Sequence, residues 1–209
     1  MAQRAPVLEP SLDDVIRAYE REGPIPVSEE TYVRLALEDP ENQWELIDGL
    51  LVEKPGMSFT HLDVVMLLGN RLAQKVDLRQ YRVLINDGRL RRTSRNYLIP
   101  DVAIVPVDLL RRLREARPLG LGVFDEPMLF VAEGWSPSTG RYDVRVKIPT
   151  YKLRGDHEIW RIQPFERTVT VWLRQPNGEY SETVYHGGVI ELSALPGVTV
   201  DLDALFNFE

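Results

Sequence analysis

The 209-residue chain contains no cysteine. That excludes disulfides, thiolate zinc sites and a cysteine nucleophile. Histidine is scarce too: His61, His157 and His186 are the only three, so a multi-histidine metal site is not expected. Any metal would rest mainly on carboxylates, which favour hard cations such as Mg2+ or Mn2+. No apolar run approaches the roughly 18 residues that cross a bilayer, so no membrane partner is expected. The opening MAQRAPVLEPSLDDV lacks the apolar stretch of a signal peptide. A cytoplasmic location follows as the expectation. There is no overall excess of base either, and the net charge of −7 speaks against a nucleic-acid binder. Its distribution softens that objection. Residues 1–60 carry 13 acids and 5 bases, whereas residues 71–117 carry 12 bases and 5 acids. The middle of the chain is either a basic face for phosphates or a set of solvated arginines.

Against these absences stand 44% hydrophobic and 27% charged residues, an ordinary soluble composition. The length suits one substantial core. Residues 11–22 and 28–37 read as helices with Ser11 and Ser28 as N-caps. WELIDGLLVEK at 44–54 reads as a hairpin turning at Asp48-Gly49. Residues 58–76 predict a long amphipathic helix capped by Ser58, with Leu62, Val65, Leu68 and Leu72 on its apolar stripe. Strands are expected at 81–85 and 88–92 around Asn86-Asp87-Gly88, and a buried strand at 97–105. Residues 108–117 form a basic helix or loop. A further buried strand is expected at 127–133, then strands at 157–162, 167–173 and 179–185, and a closing helix at 200–206. Helices interleaved with hairpins predict an α/β fold, a mixed sheet flanked by helices. Residues 1–43 would form an N-terminal helical extension and residues 44–209 the main domain.

Two acids stand out by context. Asp101 follows Pro100 inside a strongly apolar segment, and Glu133 ends a strand after Leu129, Phe130, Val131 and Ala132. A carboxylate in such a place is costly unless it is paired, hydrogen-bonded or bound to metal. Two adjacent strands could bring both acids to one sheet edge and hold a divalent cation there. A capping Asp and a salt-bridged Glu are the plainer alternatives. Farther on, Asp143, Lys147, Tyr151 and Gly155 recur every four residues. That is helical spacing, although residues 142–148 also alternate like a strand. Pro149 suits the first turn of a helix beginning near Lys147, and Gly155 its end. A lysine at a helix start is electrostatically ill placed, which leaves a functional role or simple exposure.

Together these residues resemble a known family. The linked motifs are Trp44 to Gly49, His61, Ile99-Pro100-Asp101-Val102-Ala103, Glu133 with Ser136-Pro137-Ser138-Thr139, and Arg141-Tyr142-Asp143 through Lys147 and Tyr151 to Glu158 and Trp160. They resemble the Uma-type restriction endonucleases of the PD-(D/E)XK nuclease superfamily from about Trp44 to Phe206. The resemblance implies a restriction-endonuclease-like core, with Asp101 and Glu133 as metal-binding acids. In much of that superfamily the lysine lies two residues after the second acid, where this chain has Trp135. Lys147, from the following helix, would take its role. Glu45 and His61 match further recurring polar positions. Gly134-Trp135, Asp156-His157 and Arg161-Ile162-Gln163 depart from the family's usual residues.

The function implied is a Mg2+- or Mn2+-dependent endonuclease acting on nucleic acid, DNA in the first instance. A non-catalytic binding protein on the same scaffold and a phosphoester hydrolase for small substrates are the competing expectations. A homodimer is expected, because cutting both strands of a duplex takes two centres, with Trp172, Tyr180 and Tyr185 as candidate interface anchors.

Overall fold

The computed structural model describes residues 11–39, 41–56, 58–136 and 140–207. In chain order the elements begin with α1 (Leu12–Glu22), β1 (Ile25–Pro26), α2 (Glu29–Glu38), β2 (Trp44–Ile47), β3 (Leu50–Glu53) and α3 (Phe59–Lys75). Next come β4 (Tyr81–Ile85), β5 (Arg89–Thr93), β6 (Asn96–Leu98), β7 (Val102–Pro106), α4 (Val107–Ala116), β8 (Val123–Phe124) and β9 (Phe130–Gly134). Then α5 (Gly140–Tyr142), a π-helical turn (Asp143–Lys147) and α6 (Ile148–Arg154) run on without a break. The chain closes with β10 (Glu158–Gln163), β11 (Thr168–Arg174), β12 (Tyr180–Tyr185), β13 (Val189–Glu191), β14 (Thr199–Asp201) and α7 (Leu202–Leu205). Among the described residues no helix is long and apolar enough to cross a membrane.

Contacts divide the chain into two compact units, one within Met1–Lys54 and Thr93–Tyr97, the other within Pro55–Arg92 and Leu98–Glu209. In the first unit both helices start as expected: Ser11 Oγ accepts from Asp14 N–H and Ser28 Oγ from Thr31 N–H. β2 and β3 form an antiparallel hairpin with Trp44 opposite Glu53 and Ile47 opposite Leu50. Asp48 and Gly49 both take positive φ, 51° and 84°, as a type I′ turn requires. Asn96 Nδ2 donates to Asp48 Oδ1 (3.0 Å), which ties β6 to that turn. Tyr32, Leu35, Leu46 and Leu51 are buried in this unit.

The second unit is built on the sheet β12-β11-β10-β9-β7-β4. β9 and β10 run parallel, and every other neighbouring pair in the sheet is antiparallel. Parallel neighbours need a crossover, and the helical run from α5 to α6 supplies it. Even-numbered residues of β7, β9 and β10 (Val102, Ile104, Phe130, Ala132, Trp160, Ile162) pack with Val64, Val65, Leu68 and Leu72 of α3 in one core. Side chains alternate along a strand, so the odd-numbered residues leave by the opposite face.

Several expectations need correction. Leu62 is not on the buried stripe of α3; it is 40% exposed, and His61, Val64 and Gly69 complete that stripe. The run 97–105 is not one strand, because it breaks between β6 and β7 at Ile99-Pro100-Asp101. Proline lacks the N–H that a ladder needs. The strands flanking Asn86-Asp87-Gly88 do not pair with each other: β4 joins β7 and β5 joins β8. α6 does begin at Lys147, its N-cap, with Pro149 in its first turn, but the chain is already helical from Gly140 and enters α6 through the π turn. Residues 199–201 are a strand rather than part of the closing helix. Trp172 is not an exposed anchor. It is buried, donates to Glu182 Oε2 (2.6 Å) and carries Lys152 Nζ over its ring at 4.7 Å. Tyr180 spends its hydroxyl on Asp156 O (2.6 Å).

Candidate active site

The break at Pro100 creates the first part of the site. Asp101 stands at the head of β7, and the β7–β9 register (Val102 opposite Ala132), continued one step, sets Asp101 opposite Glu133. Gly134 N–H donates to Asp101 Oδ2 (2.8 Å), which fixes the carboxylate across the ladder. His61, in the first turn of α3, brings Nε2 to 3.1 Å from the same Oδ2. This is a charge-pair distance without hydrogen-bond alignment, and His61 Nδ1 has no hydrogen-bond partner among the described residues. Gly134 allows the approach: a Cβ there would lie 3.1 Å from Val65 Cγ2 and 3.4 Å from His61 Cε1.

The crossover helix supplies the second part. Lys147 Nζ donates to Ile99 O (2.9 Å), just ahead of Pro100, and to Glu133 Oε2 (3.2 Å). Tyr151 donates its hydroxyl to Glu133 Oε1. Asp143, Lys147 and Tyr151 are all buried, so the four-residue spacing marks one inward face. The π turn carries them there: Ile148 N–H donates to Asp143 O, five residues back. Pro149 follows at once, and a proline cannot donate the regular bond to the carbonyl four residues before it. A widened turn at a helical proline is a known form of kink, frequent at functional sites. Gly155 ends the helix in the left-handed region, at φ 81°.

Asp101, Glu133 and Lys147 are each at most 2% exposed, and the structure brings them and His61 together. Glu45 belongs to the first unit, where it lies on β2 opposite Val52, fully buried. The motif residues Pro137, Ser138 and Thr139 lie outside the described residues. Sequence reasoning did not nominate Tyr151 as a site residue, although its position four residues after Lys147 was the available signal. Glu158 is a structural anchor: Oε1 accepts from Trp160 Nε1 (2.8 Å) and Oε2 from Ala194 N–H (3.0 Å). Burial raises its pKa. Asp156 plays a similar part, accepting from Met128 N–H (2.7 Å) and Arg154 Nε (3.2 Å), and burial pushes its carboxyl up to about 6.

Among the described residues no three His, Asp or Glu side chains are grouped closely enough to cage a metal ion. The donor set still fits one class of ion. Magnesium is usually held by one or two carboxylates and keeps several waters. Asp101 and Glu133 are two such carboxylates on facing strand positions. Asp143 is a further buried carboxylate, one helical turn before Lys147.

The family model described as "Putative restriction endonuclease", Uma2, matches residues 29–204. The chain belongs to the Uma2 family. The fold of this Uma2 chain is also that of a crystal structure from Anabaena variabilis ATCC 29413, described as "a putative nuclease belonging to DUF820". The two share 20% identity at a TM-score of 0.67, over 87% of this chain and 98% of the other. No curated protein matches the chain.

Proposed function

We propose that this Uma2 protein is a divalent-metal-dependent nuclease that hydrolyses phosphodiester bonds of nucleic acid, DNA in the first instance. The observation that carries the reading is the facing of Asp101 and Glu133 across β7 and β9, with Lys147 delivered to Glu133 by the crossover helix. Family membership supports it. Asp101 and Glu133 would hold Mg2+ or Mn2+, which when bound supplies an activated water and positive charge beside the scissile phosphate. Lys147 has three donors and no acceptor, so its work is on an oxygen of the water or phosphate, not on the metal. His61, with Nε2 3.1 Å from Asp101 Oδ2, would steady that carboxylate.

A second reading, a non-catalytic binding protein on a nuclease-like scaffold, is favoured by one feature: the Glu133 oxygens are already engaged by Lys147 and Tyr151. Titration calorimetry with Mn2+ separates the two. The nuclease reading expects binding by the wild type and its loss in Asp101→Asn. Equal affinity in both proteins would count against it.

A further inference from the structure

Trp135 stands two residues after Glu133, and alternation sends both side chains to the same face of the sheet. The ladder with β10 reaches this point, because Trp135 N–H donates to Ile162 O (2.7 Å). The register pairs Arg161 with Glu133 and Ile162 with Gly134. One step farther it sets Gln163 beside Trp135. Glu133, Trp135, Arg161 and Gln163 therefore share a face. Beyond them Phe165, 59% exposed, meets the half-buried indole edge-on, with centroids 5.6 Å apart and planes at 84°. The indole is seated on bare backbone: a Cβ at Gly140 would fall 2.6 Å from Trp135 Cε2.

Two polar groups on this face have no hydrogen-bond partner among the described residues. Gln163 is 7% exposed, yet its Oε1 accepts no hydrogen bond from any described residue. Arg161 Nε is buried and donates none to a described residue. Buried polar atoms are nearly always satisfied, so each such exception asks for a missing partner. A fitting partner offers a flat π face to one of the two perpendicular rings, an N–H to Gln163 and an anion to Arg161. A nucleotide whose base is unpaired offers all three. A base inside a duplex does not, because its faces are stacked on its neighbours.

We propose that Trp135, Gln163 and Phe165 receive an unpaired nucleobase and Arg161 the adjoining phosphate, so that the substrate is single-stranded DNA. This rests on the nuclease reading above, because it takes its direction from the neighbouring Glu133. The test is fluorescence anisotropy of a labelled single strand and of a hairpin duplex of equal length, with Ca2+ in place of the catalytic ion. Base–aromatic stacking predicts that the strand binds about tenfold more tightly than the duplex. Trp135→Leu, and separately Gly140→Ala, should each weaken strand binding about tenfold and leave duplex binding unchanged. Thermal melting checks that each variant is folded, and if Gly140→Ala is not, Trp135→Leu still decides. Equal wild-type affinity for strand and duplex, or unchanged strand affinity in Trp135→Leu, overturns the subsite. Cleavage with Mn2+ on the same proteins separates it from the reading beneath. Cutting without strand preference removes only the subsite. Strand binding that depends on Trp135 with no cutting keeps the subsite and removes the nuclease.

Discussion

Glu133 shows how one buried carboxylate is held within the protein: Lys147 serves Oε2 and Tyr151 serves Oε1. Removing the ammonium leaves that charge less compensated in the interior, which costs about 3–5 kcal/mol for a buried pair. It also makes the centre more negative, so metal binding should not weaken. Lys147→Ala is therefore expected to abolish cleavage while calorimetry finds Mn2+ affinity undiminished; undiminished cleavage would assign Lys147 a structural part only. Asp156 makes a prediction of a different kind. Its carboxyl is raised from 3.8 to about 6 by burial, so between those values the folded chain holds a proton that the unfolded chain has released. Its contribution to stability is fully present below about pH 4 and is lost as pH rises through about 6, by about 3 kcal/mol in all. Asp156→Asn cannot titrate. Urea unfolding across that window should show the wild type losing stability relative to the variant as pH rises, whereas a constant difference would refute the assignment.

At the scale of elements, much of the site was legible because its signals are local. Ser11, Ser28 and Ser58 marked helix starts, Asp48-Gly49 marked a hairpin, and the interval from Asp143 to Lys147 to Tyr151 marked one helix face. What was hidden depends on distant partners. Nothing in residues 81–93 says that β4 will pair with β7 and β5 with β8. The apolar character of 97–105 concealed the break at Pro100, because every residue from Asn96 to Val105 is buried whether or not it lies in a strand. Leu62 was expected on the buried stripe of α3, but His61 takes the inward place, with Nε2 3.1 Å from the Asp101 carboxylate. The π turn has no propensity signature, and only Pro149 hinted at it. The α3–β4 packing can be tested directly. A Cβ at Gly69 would lie 2.6 Å from Ile85 Cγ1. Overpacking of this kind costs about 1–3 kcal/mol, against about 1 kcal/mol of helix propensity gained. Gly69→Ala should therefore lower the urea midpoint or leave it nearly unmoved, and a clear stabilisation would show that β4 yields easily.

For the whole molecule the question is how an acidic protein of net charge −7 meets a polyanion. The bases are concentrated between residues 71 and 117, and Arg79, Arg82, Arg111, Arg112, Arg114 and Arg117 are exposed there. Arg112 is engaged with Glu126 (3.2 Å) and Arg111 with Asp108 (2.9 Å), both as exposed pairs. Such pairs contribute little and exchange readily for phosphate. In the proposed nuclease, attraction by this segment would gather the strand, and cutting it would fall to Asp101, Glu133 and Lys147. The most direct measurement is cleavage of labelled single-stranded DNA by wild type and Asp101→Asn, purified side by side, with Mn2+ and with chelator. The account predicts cutting by the wild type only when the cation is present, and a rate at least about a thousandfold lower in the variant, since metal activation of water is lost. Cutting that persists in the variant, or that ignores the chelator, would contradict it.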